Sequence, residues 1–148
     1  MVRQILLTVM IVVLTSVSAS ADKPLSQLAD KSLKHPVDIA LGECMEKDWS
    51  TAGMTNCTYK AHDAWDKELN KNYTALMQRL SPQEKEILKA AQKKWLEFRD
   101  SEYKVIDAVY AKLQGTMYIT MRVGERLDIV KQRALALKSY LDLIRDAD

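Results

Sequence analysis

The residues best suited to chemistry lie near the middle of the chain, where Glu97, Arg99, Asp100 and Glu102 follow one another closely. Two carboxylates beside an arginine could share acid–base work, one donating a proton and the other accepting it. Glu97 and Glu102, however, are five residues apart and therefore diverge on a helix. The pattern favours an ion-pair network inside or beside a helical bundle over catalysis.

Other reactive arrangements are weaker. His62 and Asp63 are neighbours in sequence, and neighbours on a helix point about 100° apart, so we expect no His–Asp relay and a solvated surface histidine. Trp49, Trp65 and Trp95 are expected to pack in a core or at its rim rather than to form a ligand cage. The sequence contains no Gly-rich phosphate loop, no G-x-S-x-G and no H-E-x-x-H motif. We therefore expect no enzyme, no cofactor and no metal site.

A long helix must carry the central charged segment. Its apolar residues recur at spacings of three, four and seven, which is the period of a helix that buries one stripe. They are Leu88, Ala91, Trp95, Phe98, Val105 and Val109. Arg99 and Glu102 fall on this face, so we expect them to pair inside the bundle, whereas Asp100 turns away by about 100°. The alternative is that this turn presents its charges to a partner.

Polar residues on neighbouring turns could support the charged segment. Asn70 and Tyr73 are predicted to share a helix face with Trp65 and to hydrogen-bond the charged turn across the helix pair. Gln92 lies one turn before Trp95 and could join them.

The elements that position these residues are all predicted to be helices. A short helix is expected over 36–45, and long ones over 52–80, 82–114 and 117–145. Strand-type alternation is missing, and the chain has only four glycines and three prolines. The second helix has the stripe Met54, Cys57, Ala61, Trp65, Leu69, Tyr73, Leu76 and Leu80, and the fourth has Val123, Leu127, Val130, Ala134, Leu137, Leu141 and Ile144. Together they predict an all-α antiparallel bundle of three long helices, with the short N-terminal helix tied on by a disulfide.

Helix caps support these boundaries. Ser81, Pro82 and Glu84 match a capping box with proline at the first helical position, which predicts a tight reversal between two long helices. The other predicted caps are Thr51 or Thr55 for the second helix, Gly115 as a left-handed end of the third, and Thr116 for the fourth.

Residues 1–21 have the pattern of a secretory signal peptide. Arg3 precedes an apolar run over 5–14, and Ala19-Ser20-Ala21 provides an A-x-A cleavage site. The apolar run is too short for a membrane span, although an uncleaved N-terminal anchor is the alternative. We expect a periplasmic or secreted protein with a single domain over 22–148.

The net charge restricts the class of partner, and the two cysteines indicate a disulfide. Without Arg3 the mature chain has 21 basic and 20 acidic side chains, a net charge of +1, which argues against nucleic acid as a partner. Cys44 and Cys57 are expected to form a disulfide in an oxidising compartment. Free thiols, or a metal or redox role, are the alternatives.

An ordered set of short motifs resembles a known family. Cys44, then Thr51-x-x-Met54-x-x-Cys57, Glu68-Leu69-Asn70-x-x-Tyr73, Gln92-x-x-Trp95-x-x-x-Arg99-Asp100-x-Glu102, Gly115 and Arg133 are similar to the lysozyme-inhibitor LprI N-terminal-domain-like family over about 40–140. The resemblance implies a small exported helical domain and, for the named member, inhibition of lysozyme. With it, the candidate structural or partner-binding residues are Asn70, Tyr73, Gln92, Trp95, Arg99, Asp100, Glu102 and Arg133.

The chain departs from that family at one point. The family often has a cysteine in the Arg-Asp motif that pairs with a later cysteine, but this chain has Tyr103 there and no cysteine after Cys57. The second disulfide is therefore absent, which puts in doubt any function that depends on it. Two functions remain: a binding protein that inhibits a lysozyme-type cell-wall hydrolase, or a structural, envelope-stress or toxin-immunity module with another envelope protein as partner.

Overall fold

The computed structural model describes residues 35–147, which form four α-helices. These are α1 (Pro36–Lys47), α2 (Thr51–Arg79), α3 (Pro82–Tyr110) and α4 (Met117–Arg145). No strand occurs within residues 35–147. The predicted fold class, three long antiparallel helices with a short N-terminal helix, is confirmed. The predicted signal peptide, residues 1–21, lies outside the described residues.

Side-chain caps set where the helices begin. His35 is extended before proline, as its position requires, and its ring accepts a hydrogen bond from the Val37 amide (3.2 Å). Ser50, rather than Thr51 or Thr55, caps α2 and accepts a hydrogen bond from the Gly53 amide (3.0 Å). The predicted cap was wrong because α2 starts one residue earlier, which makes Thr51 the first helical residue.

The α2–α3 reversal contains the predicted capping box. The Ser81 amide donates to Glu84 Oε2 (2.8 Å), and the Glu84 amide donates to Ser81 Oγ (3.4 Å). Hydrogen bonds from Ser81 lower the pKa of the Glu84 carboxyl.

The α3–α4 connection differs from the prediction. α3 ends at Tyr110, before the expected end at 114, and Ala111 closes it with helical dihedrals. Gly115 does have a positive φ of 120°, but it lies in the following turn. Thr116 has helical dihedrals and makes no capping hydrogen bond, because a cap side chain reaches the first turn only from an extended residue.

The most extensive helix contact joins the parallel pair α2 and α4. The Thr55 and Thr120 hydroxyls are 2.6 Å apart near the start of both helices. Further along, Asn72 Nδ2 donates to the Ala134 carbonyl oxygen (3.1 Å). The buried residues of this α2·α4 seam confirm both predicted stripes: Ala61, Trp65, Leu69, Leu76, Leu127, Val130, Ala134 and Leu137.

Helix α1 is fastened to the bundle at three points. The predicted disulfide Cys44–Cys57 is present, with a Cα–Cα distance of 5.7 Å. Trp65 Nε1 donates to Asp38 Oδ1 (3.2 Å), and Lys131 Nζ lies 2.7 Å from Asp38 Oδ2. The His35 ring lies against the Trp65 ring, with centroids 4.2 Å apart. Asp38 thus links α1 to both helices of the α2·α4 seam.

The predicted core stripe of α3 is largely wrong. Leu88 is buried and Trp95 is half-buried, but Ala91, Phe98, Val105 and Val109 are exposed. Helix α3 packs mainly on α4, and it turns Trp95 and its neighbouring polar residues toward that helix. The reason is that α2 and α4 already bury their stripes against each other, so the surface left for α3 carries arginines.

Candidate functional site

An arginine–aromatic ladder joins α3 to α4. It consists of Arg133, Trp95, Arg99, Tyr103 and Arg126, in spatial order. The Trp95 ring has Arg133 at 5.9 Å and Arg99 at 5.6 Å, and the Tyr103 ring has Arg99 at 5.8 Å and Arg126 at 4.9 Å. Spacings of four on α3 and seven on α4 place these side chains on facing sides. Each exposed cation–π contact contributes roughly 0.5–1 kcal/mol. Among residues 35–147 the buried residue of α3 is Leu88, so the ladder adds attraction along a seam with little apolar burial.

At the Arg133 end of the ladder, a side-chain amide holds the guanidinium. Arg133 Nε donates to Gln92 Oε1 (3.0 Å). Burial lowers the pKa of the Arg133 guanidinium, yet arginine stays charged at physiological pH. Gln92 and Arg133, both predicted site residues, therefore meet across the α3·α4 seam.

At the Arg126 end of the ladder lies a cluster of charged side chains. Arg126 Nη2 donates to Asp107 Oδ2, and Arg122 Nη1 lies 4.0 Å from Asp107 Oδ1. Within residues 35–147, Arg126 Nε and Asp107 Oδ1 are buried without a hydrogen-bond partner, which is costly for charged groups. This end is therefore polar and incompletely satisfied.

Tyr103 connects all three long helices. Its hydroxyl donates to the Arg126 carbonyl oxygen on α4 (3.3 Å) and lies 3.1 Å from His62 Nε2 on α2. Burial raises the pKa of the Tyr103 phenol, against the lowering effect of Arg99 and Arg126. The phenol therefore stays protonated and able to donate at neutral pH.

His62 differs from one expectation, because its side chain is only 26% exposed and is therefore not freely solvated. Its Nδ1 lies 3.6 Å from Asp63 Oδ1, which is longer than a hydrogen bond. Tyr103 is a site residue that the sequence reasoning missed. The available signal was its position four residues after Arg99, on the same face of α3.

The ion pair in the charged segment around Arg99 differs from the expected one. Arg99 donates from Nε and Nη2 to Asp100 Oδ1 (2.9 and 2.7 Å). Glu102 has neither a hydrogen bond nor an ion pair within residues 35–147. Arg99 turns its guanidinium to lie between the Trp95 and Tyr103 rings, and Asp100 is the carboxylate within reach there.

The two polar residues predicted on α2 do not bond the charged turn. Asn70 Nδ2 donates within its own helix, to the Asp66 carbonyl oxygen (2.8 Å) and to Asp66 Oδ2 (3.1 Å). Tyr73 is half-buried against the core cluster. Of the predicted site residues, the structure brings together Gln92, Trp95, Arg99 and Arg133, whereas Asn70, Tyr73, Asp100 and Glu102 lie outside the ladder.

An acidic patch lies where α2 faces α3. We use this name for Asp63, Asp66 and Asp100. Asp63 and Asp66 lie one turn apart on α2, and Asp100 lies on α3. The charges of Asp66 and Asp100 both act to raise the pKa of Tyr103. Asp63 and Asp100 are 76% and 59% exposed. Within residues 35–147, Asp100 pairs with Arg99, and Asp63 Oδ1 lies 3.6 Å from His62 Nδ1.

The part of the chain that the structure describes has no group of three or more His, Cys, Asp or Glu residues placed to bind a metal ion. Both cysteines are in the disulfide. Between residues 35 and 147, no helix is both long and apolar enough to cross a membrane. The ladder can hold α3 against α4, and the acidic patch can attract a cationic surface.

Comparison with known proteins assigns the family. Residues 44–137 match the family described as lysozyme inhibitor LprI. No curated protein matches the chain significantly. The crystal structure of an uncharacterised protein from Burkholderia thailandensis superposes with a TM-score of 0.72 at 32% identity, covering 78% of this chain. This chain spans 58% of the length of that protein. The matched range includes the disulfide and the whole ladder, and the chain belongs to the lysozyme inhibitor LprI family.

Proposed function

We propose that this protein is an exported, non-enzymatic binding protein that inhibits a lysozyme-type cell-wall hydrolase by docking on its surface. The observation that carries the proposal is the family match over residues 44–137. Residues 1–21 would direct export, leaving one domain over 22–148 in the periplasm or outside the cell. The disulfide Cys44–Cys57 supports an oxidising compartment.

The acidic patch is the surface proposed for docking. Lysozymes are usually basic, and a mature net charge of +1 supplies no general attraction to them. Asp63, Asp66 and Asp100 provide a local attraction instead. The patch lies beside Tyr103, whose aromatic ring can add apolar contact at the centre of an interface.

A second candidate is an envelope protein other than lysozyme as the partner, in a structural, stress or toxin-immunity role. Tyr103 replaces the cysteine that the family often has, so a loop pinned by a second disulfide is absent from this chain. A changed docking surface could accept a different partner.

The test is inhibition of lysozyme by the mature exported chain, with binding measured by calorimetry. A triple variant Asp63→Asn, Asp66→Asn, Asp100→Asn should weaken both at least about tenfold at low salt. The matched control, Glu43→Gln, Glu46→Gln, Glu86→Gln, removes the same charge from exposed positions elsewhere and should change them by less than about twofold.

Equal losses in the two triple variants would reject the acidic patch as the docking surface. Neither binding nor inhibition across a panel of lysozymes would reject the function itself. A pull-down from periplasmic extract would then identify the partner of the second candidate function.

A further inference from the structure

A groove opens at the end of the bundle where α2 ends, α3 begins and α4 ends. Its volume is about 350 Å³, within the range of roughly 300–1,000 Å³ that small-molecule sites have. Two buried leucines of the core, 3% and 8% exposed, line it together with partly buried apolar side chains. We use the name end groove for this space, whose lining includes Leu76, Leu80, Glu84, Leu88, Arg133 and Ile144.

Arg133 brings a positive charge into this largely apolar lining. It is partly buried, its Nε donates to Gln92 Oε1 (3.0 Å), and its guanidinium lies 5.9 Å from the centre of the Trp95 ring. Within residues 35–147 no carboxylate pairs with Arg133, whereas the other two arginines of the ladder each pair with an aspartate. A partly buried charge is costly unless it is paired. The end groove therefore offers an unpaired cation to a negatively charged ligand.

We propose that the end groove binds a free amphiphile with one apolar chain and a carboxylate head, such as a long-chain fatty acid. Gln92 engages only Nε of Arg133, and the two Nη groups make no hydrogen bond within residues 35–147. Such a planar pair of N–H donors matches the two oxygens of a carboxylate. The apolar chain lies on Leu76, Leu88 and Ile144, where it is removed from water.

The helix geometry sets the length and the direction of this ligand. Arg133 and Ile144 are eleven residues apart on α4, so they lie on one side of the helix and about 16 Å from each other. An extended chain advances roughly 1.2 Å per bond, so about a dozen carbons span the groove. Glu84 lines the groove eight residues before Gln92, about 12 Å along α3. Its negative charge repels a carboxylate there, which directs the head to Arg133.

The end groove is separate from the acidic patch. Asp100 follows Leu88 by twelve residues on α3, and Asp66 precedes Leu76 by ten on α2. These separations correspond to about 18 Å and about 15 Å along the helices. The proposal of an amphiphile site therefore does not rest on lysozyme inhibition.

Titration of the mature exported chain with dodecanoate, below the concentration at which it forms micelles, tests the proposal by calorimetry. The wild type should bind one dodecanoate at least about tenfold more tightly than dodecanol, because only the carboxylate can pair with Arg133. Acetate, which has the charge without the chain, should not bind measurably. Equal affinities for dodecanoate and dodecanol, or no binding of dodecanoate, would overturn the proposal. This comparison needs no variant, so a folding defect in a variant cannot obscure it.

Variants locate the two ends of the ligand. Arg133→Gln should weaken dodecanoate binding at least about tenfold and leave dodecanol binding within about twofold. The matched control Lys93→Gln removes an exposed charge of α3 outside the groove and should change both by less than about twofold. Ile144→Gln should weaken both amphiphiles at least about threefold, because it places an amide against the chain. Dodecanoate binding that is unaffected by Arg133→Gln or by Ile144→Gln, or weakened as much by Lys93→Gln, would reject this site.

Discussion

The two seams that α4 makes with its neighbours differ in chemistry. Against α2 it buries Val130, Ala134 and Leu137 completely, whereas against α3 it presents Arg126 and Arg133 to aromatic rings. The first seam derives its stability from apolar burial, and the second from cation–π contacts and hydrogen bonds that are individually weak. The comparison shows a scaffold, α2 and α4, and a helix held on it that keeps its apolar side exposed. The acidic patch proposed for binding includes Asp100 of α3.

The largest expected effect is in the α2·α4 seam. Leu137→Ala should lower the free energy of unfolding by about 2–5 kcal/mol, since Leu137 is fully buried and its removal leaves a cavity. The control Leu143→Ala, in the same helix but 67% exposed, should change it by less than about 0.5 kcal/mol. Urea unfolding of both variants measures the difference. Equal losses would contradict the assignment of this seam as the core.

Removal of the disulfide should give the second largest loss of stability. Replacing Cys44 and Cys57 together by serine should lower the free energy of unfolding by about 3 kcal/mol, because the bond closes a loop of similar size to those that give this value. Thermal melting of oxidised wild type, reduced wild type and the double variant measures it. Reduced wild type and the variant should melt together. A variant that melts like oxidised protein would show that the contacts of Asp38 suffice to hold α1.

A smaller effect is expected in the ladder. Arg99→Ala removes two cation–π contacts and should lower the free energy of unfolding by about 1 kcal/mol. Glu102→Ala should change it by less than about 0.5 kcal/mol, as Glu102 has no partner within residues 35–147. Losses of 3 kcal/mol or more in both variants would restore the buried Arg99–Glu102 pair expected from sequence.

The difference between the two seams explains which parts of the fold could be predicted from the sequence. The stripes of α2 and α4 were read correctly because periodicity alone identifies the buried side of a helix with one apolar face. On α3 the most regular apolar line, through Phe98 and Val105, is not the side that faces the bundle. Its orientation depends on Trp95 and Tyr103 meeting the α4 arginines Arg133 and Arg126, and such contacts between distant residues leave no local periodic signal.

In the candidate site, too, local features were predicted and contacts between distant residues were not. Gln92, Trp95 and Arg99 were predicted from their positions and Arg133 from the family resemblance, and all four lie together. The partner of Arg99 was not predicted, because Arg99 can reach carboxylates at several positions. The choice of Asp100 depends on where the aromatic rings hold the Arg99 guanidinium. The local capping box at Ser81, by contrast, needs only residues within one turn, and was predicted completely.

The smallest expected effect is the pH dependence from Tyr103. Its pKa in the folded protein is raised above the ordinary value of 10.0, so the unfolded chain loses this proton first. The stabilisation is fully present below about pH 10 and is lost as pH rises through the folded pKa. Tyr103→Phe should melt with a shallower decline than wild type between about pH 9 and pH 11. An identical decline would show that another group, such as Tyr110, causes it.

Hydrogen exchange of the mature chain, alone and with lysozyme, tests most directly the claim that α3 is a weakly held helix presented by an α2·α4 scaffold for partner binding. In the free protein, amides of α3 should exchange faster than those of α2 and α4, because their opening breaks the ladder and its polar contacts but exposes only one buried residue of α3, Leu88, among residues 35–147. Added lysozyme should slow exchange around the acidic patch, in the middle of α2 and of α3. Exchange as slow in α3 as in α2 and α4, with no amide slowed by lysozyme, would show that α3 is held as firmly as they are and does not bind lysozyme.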